Sequence, residues 1–189
     1  MADVVVINKV DTATPEQVAA VAANTAAVNP GAIVLRAASP VTLQEGPSLQ
    51  GEPVLVVEDG PTITHGGMPF GAGTVAALAA GAVPVDPRPY AAGSLADTFA
   101  RFPHIGAVLP AMGYSDEQLA DLQATIDATP CTAVVAGTPI DLGRLITAAR
   151  PIRETGYELQ QRDGPPLAEL LAPVIARAKI AACTCAARP

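Results

Sequence analysis

The sequence predicts an α/β fold, a mostly parallel sheet flanked by helices. Two patterns carry that expectation. Short continuous apolar runs, clearest in the VVVI of Val4 to Ile7, recur between polar or turn residues, as strands buried on both faces require. Segments with helix-start signals alternate with these runs, and such alternation implies right-handed crossovers between parallel neighbours. Composition permits the core. Of the 189 residues 50% are apolar but only 3% aromatic, so the interior must be built from Ala, Val, Leu and Ile. That apolar content argues against disorder for most of the chain.

The elements follow in order. Asp3 to Asn8 reads as the first strand. Thr14, Pro15 and Gln17 open a helix, with Thr14 as N-cap, Pro15 at the first helical position and Gln17 closing a capping box. This Ala-rich helix runs to about Val28 and stops at Asn29-Pro30-Gly31. A strand follows at 32–35, then a polar loop with Pro40, Gly46, Pro47 and Gly51, the best candidate boundary, and a buried strand at 53–57. Next come a Gly-rich loop from Glu58 to Gly73, an Ala-rich helix to Ala80 and a short strand at 82–85. Ser94 opens a helix ending near Phe102, and Gly106 to Leu109 is a strand. Ser115 and Gln118 form a second capping box before a helix ending about Ala128. Cys131 to Ala136 is a third buried strand, Asp141 caps a helix, and Pro151 to Tyr157 returns as a strand. A last helix spans 166–178, with a disordered tail behind it.

Charge and hydropathy narrow the function classes. Eleven basic side chains against 18 acidic ones give a net charge of −7, without the basic surface of a nonspecific nucleic-acid binder. The mean hydropathy is +0.34. Residues 61–85 contain no Asp, Glu, Lys or Arg, yet Gly66, Gly67, Gly71, Gly73 and Gly81 with Pro61, Pro69 and Pro84 break that stretch into loops and a short helix, excluding a membrane span. Asp3, Lys9 and Asp11 flank a strand-like run where a signal peptide would need a basic start and an apolar core, so the expected location is the cytoplasm. Three cysteines, Cys131, Cys183 and Cys185, form no disulfide framework and fit a reducing compartment.

In parallel α/β sheets ligands bind beyond the carboxyl ends of strands, so the residues after each strand take priority. Asn8-Lys9-Val10-Asp11 has the N-K-x-D form with which P-loop GTPases hold guanine. A carboxylate accepts from a base edge, and a Lys stem lies along its plane. Ser39 follows the next strand as a second base-side contact. The densest polar patch runs from Glu58 through Asp59, Gly60, Thr62, Thr64, His65, Gly66 and Gly67 to Gly71 and Gly73. Glycine amides at a helix start can bind phosphate, Thr hydroxyls add contacts, and Asp59 can hold Mg²⁺. His65 can contact phosphate or transfer a proton. Arg88, in Asp86-Pro87-Arg88-Pro89-Tyr90, sits on a stiff turn suited to clamping an anion, or else pairs with Asp86. His104 reads as a packed loop histidine, and Cys183-Thr184-Cys185 lacks the second ligand pair of a zinc site.

The segments VVVINKVDTA, RAASPVT, VLVVEDGPTITHGGM, FGAGTVAA, VDPRPYAAGS, FPHIGAVLPAMGYSDEQL and AGTPIDLGRLI resemble, in order, the family of cyclic 2,3-diphosphoglycerate synthetase and predicted P-loop GTPases. The resemblance implies a cytoplasmic nucleotide-binding protein using ATP or GTP with Mg²⁺. Its characterised reaction is ATP-dependent closure of a phosphoanhydride in a 2,3-bisphosphoglycerate-like acid. Family members carry a G-x-x-x-x-G-K-[ST] phosphate loop, which these residues do not contain. The expected organisation is therefore 1–50 as the C-terminal part of a P-loop NTPase-like domain, 51–165 as a Rossmann-like α/β domain, and 166–189 as a helix and disordered tail. A missing N-terminal P-loop part, or a homo-oligomer, is the expected partner.

For an intact arrangement the expected mechanism is positioning and charge neutralisation around a transferring phosphoryl group. Asn8, Lys9, Asp11 and Ser39 hold the base, while Gly60, Thr62, Thr64, Gly66, Gly67, Gly71 and Gly73 lie near the phosphates. Asp59, His65 and Arg88 are the catalytic candidates. The alternatives are a GTPase acting as a noncatalytic regulatory module and an inactive fragment.

Overall fold

The computed structural model describes residues 1–112 and 115–186, with side chains described as far as Ala178. Contacts divide the chain into two compact units: 1–40 with 157–189, and 41–156.

In the first unit, β1 (Val4–Ile7) pairs in parallel with β2 (Ile33–Ala38), and α1 (Pro15–Val28) forms the crossover. The capping box forms: Thr14 Oγ1 accepts from the Gln17 N–H, and Gln17 Oε1 accepts from the Thr14 N–H. The apolar run of β1 is covered less than its pattern predicts, with Val4 to Val6 half-buried and Ile7 buried. Helix α1 buries no residue completely. β9 (Gln160–Gln161) joins the far edge of β2 antiparallel, which ties 157–189 to this unit. The last helix, α7 (Leu167–Ala186), begins where the sequence expects one and runs past the expected end at Ala178. Leu, Ala and Ile recur through the segment, and good helix formers carry the helix onward despite Pro173. The side chains of Cys183 and Cys185 lie outside those described.

The second unit holds the larger sheet, in the order β3 (Val41–Leu43), β8 (Ile152–Tyr157), β7 (Ala133–Gly137), β4 (Pro53–Asp59), β5 (Val83–Pro84), with β6 (Leu109–Ala111) also paired to β4. β4 is parallel to β5, β6 and β7, and β7 is parallel to β8. Val54 to Val57 and Ala133 to Ala136 are all buried, as continuous apolar runs require. Connecting helices are α2 (Gly60–Thr64), α3 (Ala72–Ala79), α4 (Ser94–Arg101), α5 (Asp116–Ala128) and α6 (Leu142–Leu145). One core cluster joins Leu55, Val57, Leu95, Leu122, Ile126 and Leu142; the other joins Val54, Val56, Ile63, Ala77, Ile105 and Val135. The two faces of β4 thus pack into different clusters, the period-2 consequence of a central strand. Ser115 caps α5, accepting from the Gln118 N–H. Asp141 stands at the start of α6 without a side-chain capping bond and pairs instead with Arg144 at 2.9 Å.

Taken together the chain is a mixed α/β protein with two sheets flanked by helices.

Candidate functional site

The carboxyl end of β4 organises the polar patch of the second unit. The strand continues two residues beyond its apolar run, so Glu58 and Asp59 are strand residues. Glu58 is 1% exposed. Its Oε1 accepts from the Gly71 N–H (2.9 Å), the Thr74 N–H (2.8 Å) and the Thr74 hydroxyl (2.9 Å), and its Oε2 from the Gly73 N–H (3.1 Å). An ionised carboxylate only accepts, and four donors satisfy it, which is how a charge survives in this interior. Close packing enforces glycine around it. A Cβ on Gly137 would stand 2.3 Å from Glu58 Oε2, and one on Gly71 would stand 2.6 Å from the same atom. The amides of Gly71 and Gly73, expected to face phosphate, therefore face the protein's own carboxylate. The sequence pattern places Glu58 at the head of the glycine-rich loop, whereas it belongs to the strand. The missed signal is a lone Glu at the end of an apolar strand, opposite a glycine-rich helix start.

Asp59 points the other way. It caps α2, its Oδ2 accepting from the Thr62 N–H (3.2 Å) and the Thr62 hydroxyl (2.6 Å). Gly60 is buried, and a Cβ there would lie 2.6 Å from the Ala111 carbonyl oxygen. The Thr64 hydroxyl donates to the Gly60 carbonyl at 2.7 Å, and the same oxygen lies 3.0 Å from His65 Nδ1. The Gly66 N–H donates to the Thr62 carbonyl, and a Cβ on Gly66 would meet that oxygen at 2.3 Å. Gly67 takes φ +65°, a conformation open to glycine. Asp59, Gly60, Thr62, Thr64, His65, Gly66 and Gly67 are thus brought together in one short segment. His104 braces it: its Nε2 lies 2.7 Å from the Ile63 carbonyl oxygen, and its ring meets Phe102 edge-on.

Arg88 lies on the turn after β5, which pairs in parallel with the start of β4, Pro84 opposite Val54. Its Nε donates to both Asp86 oxygens (2.9 and 3.0 Å) and its Nη2 to Oδ2 (2.7 Å). These bonds hold the Asp86 carboxyl below its usual range and push the guanidinium above its own. The pairing with Asp86, one of the two readings of this turn, is the one that forms.

The first unit holds the other candidates. Lys9 adopts φ +61°, which β-carbon crowding normally disfavours. Its carbonyl accepts from the Thr12 N–H, the Thr12 hydroxyl and the Ala13 N–H, which fixes the bend. Lys9 Nζ lies 5.9 Å from the centre of the Tyr157 ring. Asp11 Oδ1 accepts from the Ser39 N–H at 3.2 Å, joining the loops after β1 and β2. Asn8, Lys9, Asp11 and Ser39 therefore share one end of the small sheet. Among the described residues no three His, Cys, Asp or Glu side chains gather as a metal cage. No helix among them is long and apolar enough to cross a membrane.

These features define a mixed α/β protein whose polar loops collect at the carboxyl ends of parallel strands. No protein-family model matches the chain. It is 46% identical over 171 residues to arginine synthetase ArcE of Thermococcus kodakarensis, an alignment taking in 90% of this chain and 38% of that relative. The chain thus spans well under half the length of the relative it matches. This finding corrects the reading as cyclic 2,3-diphosphoglycerate synthetase or a predicted GTPase, because the matched relative carries the name of a different activity. The expectations of a 2,3-bisphosphoglycerate cyclisation and of a GTPase module fall with it.

Proposed function

We propose that this chain contributes to an ATP-dependent synthetase reaction that forms arginine. The observation carrying the reading is the 46% identity to arginine synthetase ArcE over 90% of the chain. A synthetase couples bond formation to cleavage of a nucleoside triphosphate, and each unit, taken by itself, offers a polar loop. In the first unit Asn8, Lys9, Asp11 and Ser39 are suited to a nucleotide base. In the second unit Asp59 would hold Mg²⁺, an ion that one carboxylate commonly binds beside phosphate. Thr62, Thr64, His65, Gly66 and Gly67 border the reacting groups, and Gly60, Gly71 and Gly73 give that border its backbone. Arg88 is a secondary anion contact that must first exchange its bonds to Asp86. The compartment we assign is the cytoplasm.

The test is titration calorimetry of the full chain with L-arginine and with MgATP, separately and together. Saturable arginine binding that tightens or weakens when MgATP is present supports the reading, since two ligands of one reaction are thermodynamically linked. A folded chain that takes up neither ligand overturns it.

A further inference from the structure

We propose that His65 is the general base of this site, presented in a single tautomer by Thr64; the inference rests on the arginine-forming reading above. The argument is one of hydrogen-bond capacity. Thr64 is buried, and its Oγ1 lies 2.7 Å from the Gly60 carbonyl oxygen. A carbonyl only accepts, so the single hydroxyl proton of Thr64 is committed to Gly60. The same Oγ1 lies 3.0 Å from His65 Nδ1. Having no second proton, Thr64 accepts there, and Nδ1 must carry hydrogen. In the neutral ring the lone pair then resides on Nε2.

The support beneath this relay is rigid. Ile63 is completely buried, its carbonyl is bonded by His104, and Gly60 is packed against the Ala111 backbone. The His65 N–H itself donates to the Pro61 carbonyl at 2.9 Å. The chain has two histidines, and they divide the work. His104 commits Nε2–H to a carbonyl and acts as a strut. His65 is exposed and turns an acceptor nitrogen outward, at the carboxyl end of the central strand where α/β sheets place ligands. Thr64 is a positioning residue and His65 the catalytic one.

The step it serves is C–N bond formation. The lone pair of a nitrogen nucleophile bonds to a carbon whose oxygen has been phosphorylated by the nucleoside triphosphate. The C–O bond breaks with its electron pair leaving on the phosphate, and the proton released by the nitrogen passes to His65 Nε2. The product nitrogen stays adjacent to Nε2, so L-arginine reports on the contact.

The experiment is ¹⁵N-detected NMR of the histidine rings in the full chain, alone and with L-arginine plus MgATP. We expect His65 as the Nδ1–H tautomer, with a pyridine-type Nε2 signal that shifts on ligand addition. Thr64→Val should lose the single tautomer, its pyridine-type signal dividing between the two nitrogens, and Thr64→Ser should restore it. An Nε2–H tautomer in the parent chain, or a tautomer unmoved by Thr64→Val, overturns the relay. Arginine binding by calorimetry that leaves His65 Nε2 unshifted overturns the base assignment while the arginine-forming reading stands. Absence of arginine and ATP binding removes that reading, and the base assignment with it.

Discussion

Glu58→Gln is the substitution that most directly tests how the carboxyl end of β4 is built. The side chain keeps its shape but loses one acceptor oxygen. In the better orientation the amide oxygen retains the three donors now on Oε1, and the NH₂ group faces the Gly73 N–H, donor against donor. Leaving that one buried donor unmet costs about 1–3 kcal/mol, and losing the charge assistance on the remaining bonds adds about 1 kcal/mol. We expect a net destabilisation of about 3 kcal/mol. With a urea slope of about 2 kcal/mol/M, the midpoint should fall by about 1.5 M. Because the chain has two compact units, the readout should be local. Amide exchange at Gly71, Gly73 and Thr74 should accelerate by about two orders of magnitude, the equivalent of about 3 kcal/mol of opening free energy. A midpoint shift under about 0.3 M with unchanged exchange at those amides would refute the reasoning. It would mean that water satisfies the donors and that Glu58 is not the anion holding the helix start.

Other consequences are open to measurement. Gly137→Ala places a Cβ 2.4 Å from the Gly73 nitrogen and 2.3 Å from Glu58 Oε2, so it should destabilise by about 1–3 kcal/mol in the same urea experiment; a neutral effect would show that β7 and α3 can separate. Thr14→Ala removes one half of the capping box on α1 and should cost about 1 kcal/mol, read as lost helicity by circular dichroism, whereas unchanged helicity would deny the cap a role. Asp86 and Asp121 both have carboxyl pKa values lowered in the fold, by Arg88 and by Ser94. Their contribution is complete above the unfolded value near 3.8 and is lost as pH falls through the lower folded values, so thermal stability should drop below about pH 4. Asp86→Asn with Asp121→Asn should flatten that acid limb, and an unchanged limb would assign it elsewhere. Burial pushes the Cys131 thiol up, opposed in part by Arg150, so near neutral pH its alkylation should be slower than that of a free thiol in peptide mapping.

The regular elements were legible because their causes are local. The Thr14-Pro15-Gln17 signal placed α1 to the residue, and the apolar runs in β4 and β7 announced strands covered on both faces. What escaped depends on partners distant in sequence. Glu58 is bonded to amides 13 to 16 residues away, and no local pattern marks a carboxylate as an internal anion. The short helix α2 hid inside a glycine-rich stretch, because Asp59 and Pro61 give a start signal while Gly66 and Gly67 end it within two turns. The N-K-x-D loop was found, but the αL backbone of Lys9 and its approach to Tyr157 come from packing within its unit. The sequence pattern ends the last helix near Ala178, because Cys183, Thr184 and Cys185 carry no strong helix signal, while α7 runs to Ala186.

The misassigned reaction has a physical explanation in the same residues. The segments VLVVEDGPTITHGGM, FGAGTVAA and AGTPIDLGRLI, which carried the resemblance to a phosphoanhydride-forming family, contain Glu58, Gly71, Gly73, Thr74 and Gly137. These are the residues that build the buried carboxylate cradle, where a Cβ at any of the three glycines would stand within 3 Å of a neighbouring atom. A motif under such steric constraint reports how β4, α3 and β7 are fastened together, and it would persist under any chemistry conducted above it. The proposed reaction is assigned instead to groups of this unit that are not buried: Asp59, half-buried, and Thr62 and His65, exposed. The prediction that follows is asymmetric. Glu58→Gln should lower stability and disturb arginine and ATP binding only in proportion to the folded fraction. Asp59→Asn should leave the urea midpoint within about 0.5 M, since the amide oxygen still accepts from Thr62, yet weaken MgATP binding by about tenfold or more. If both variants changed stability and binding in the same ratio, the separation of framework from chemistry would fail.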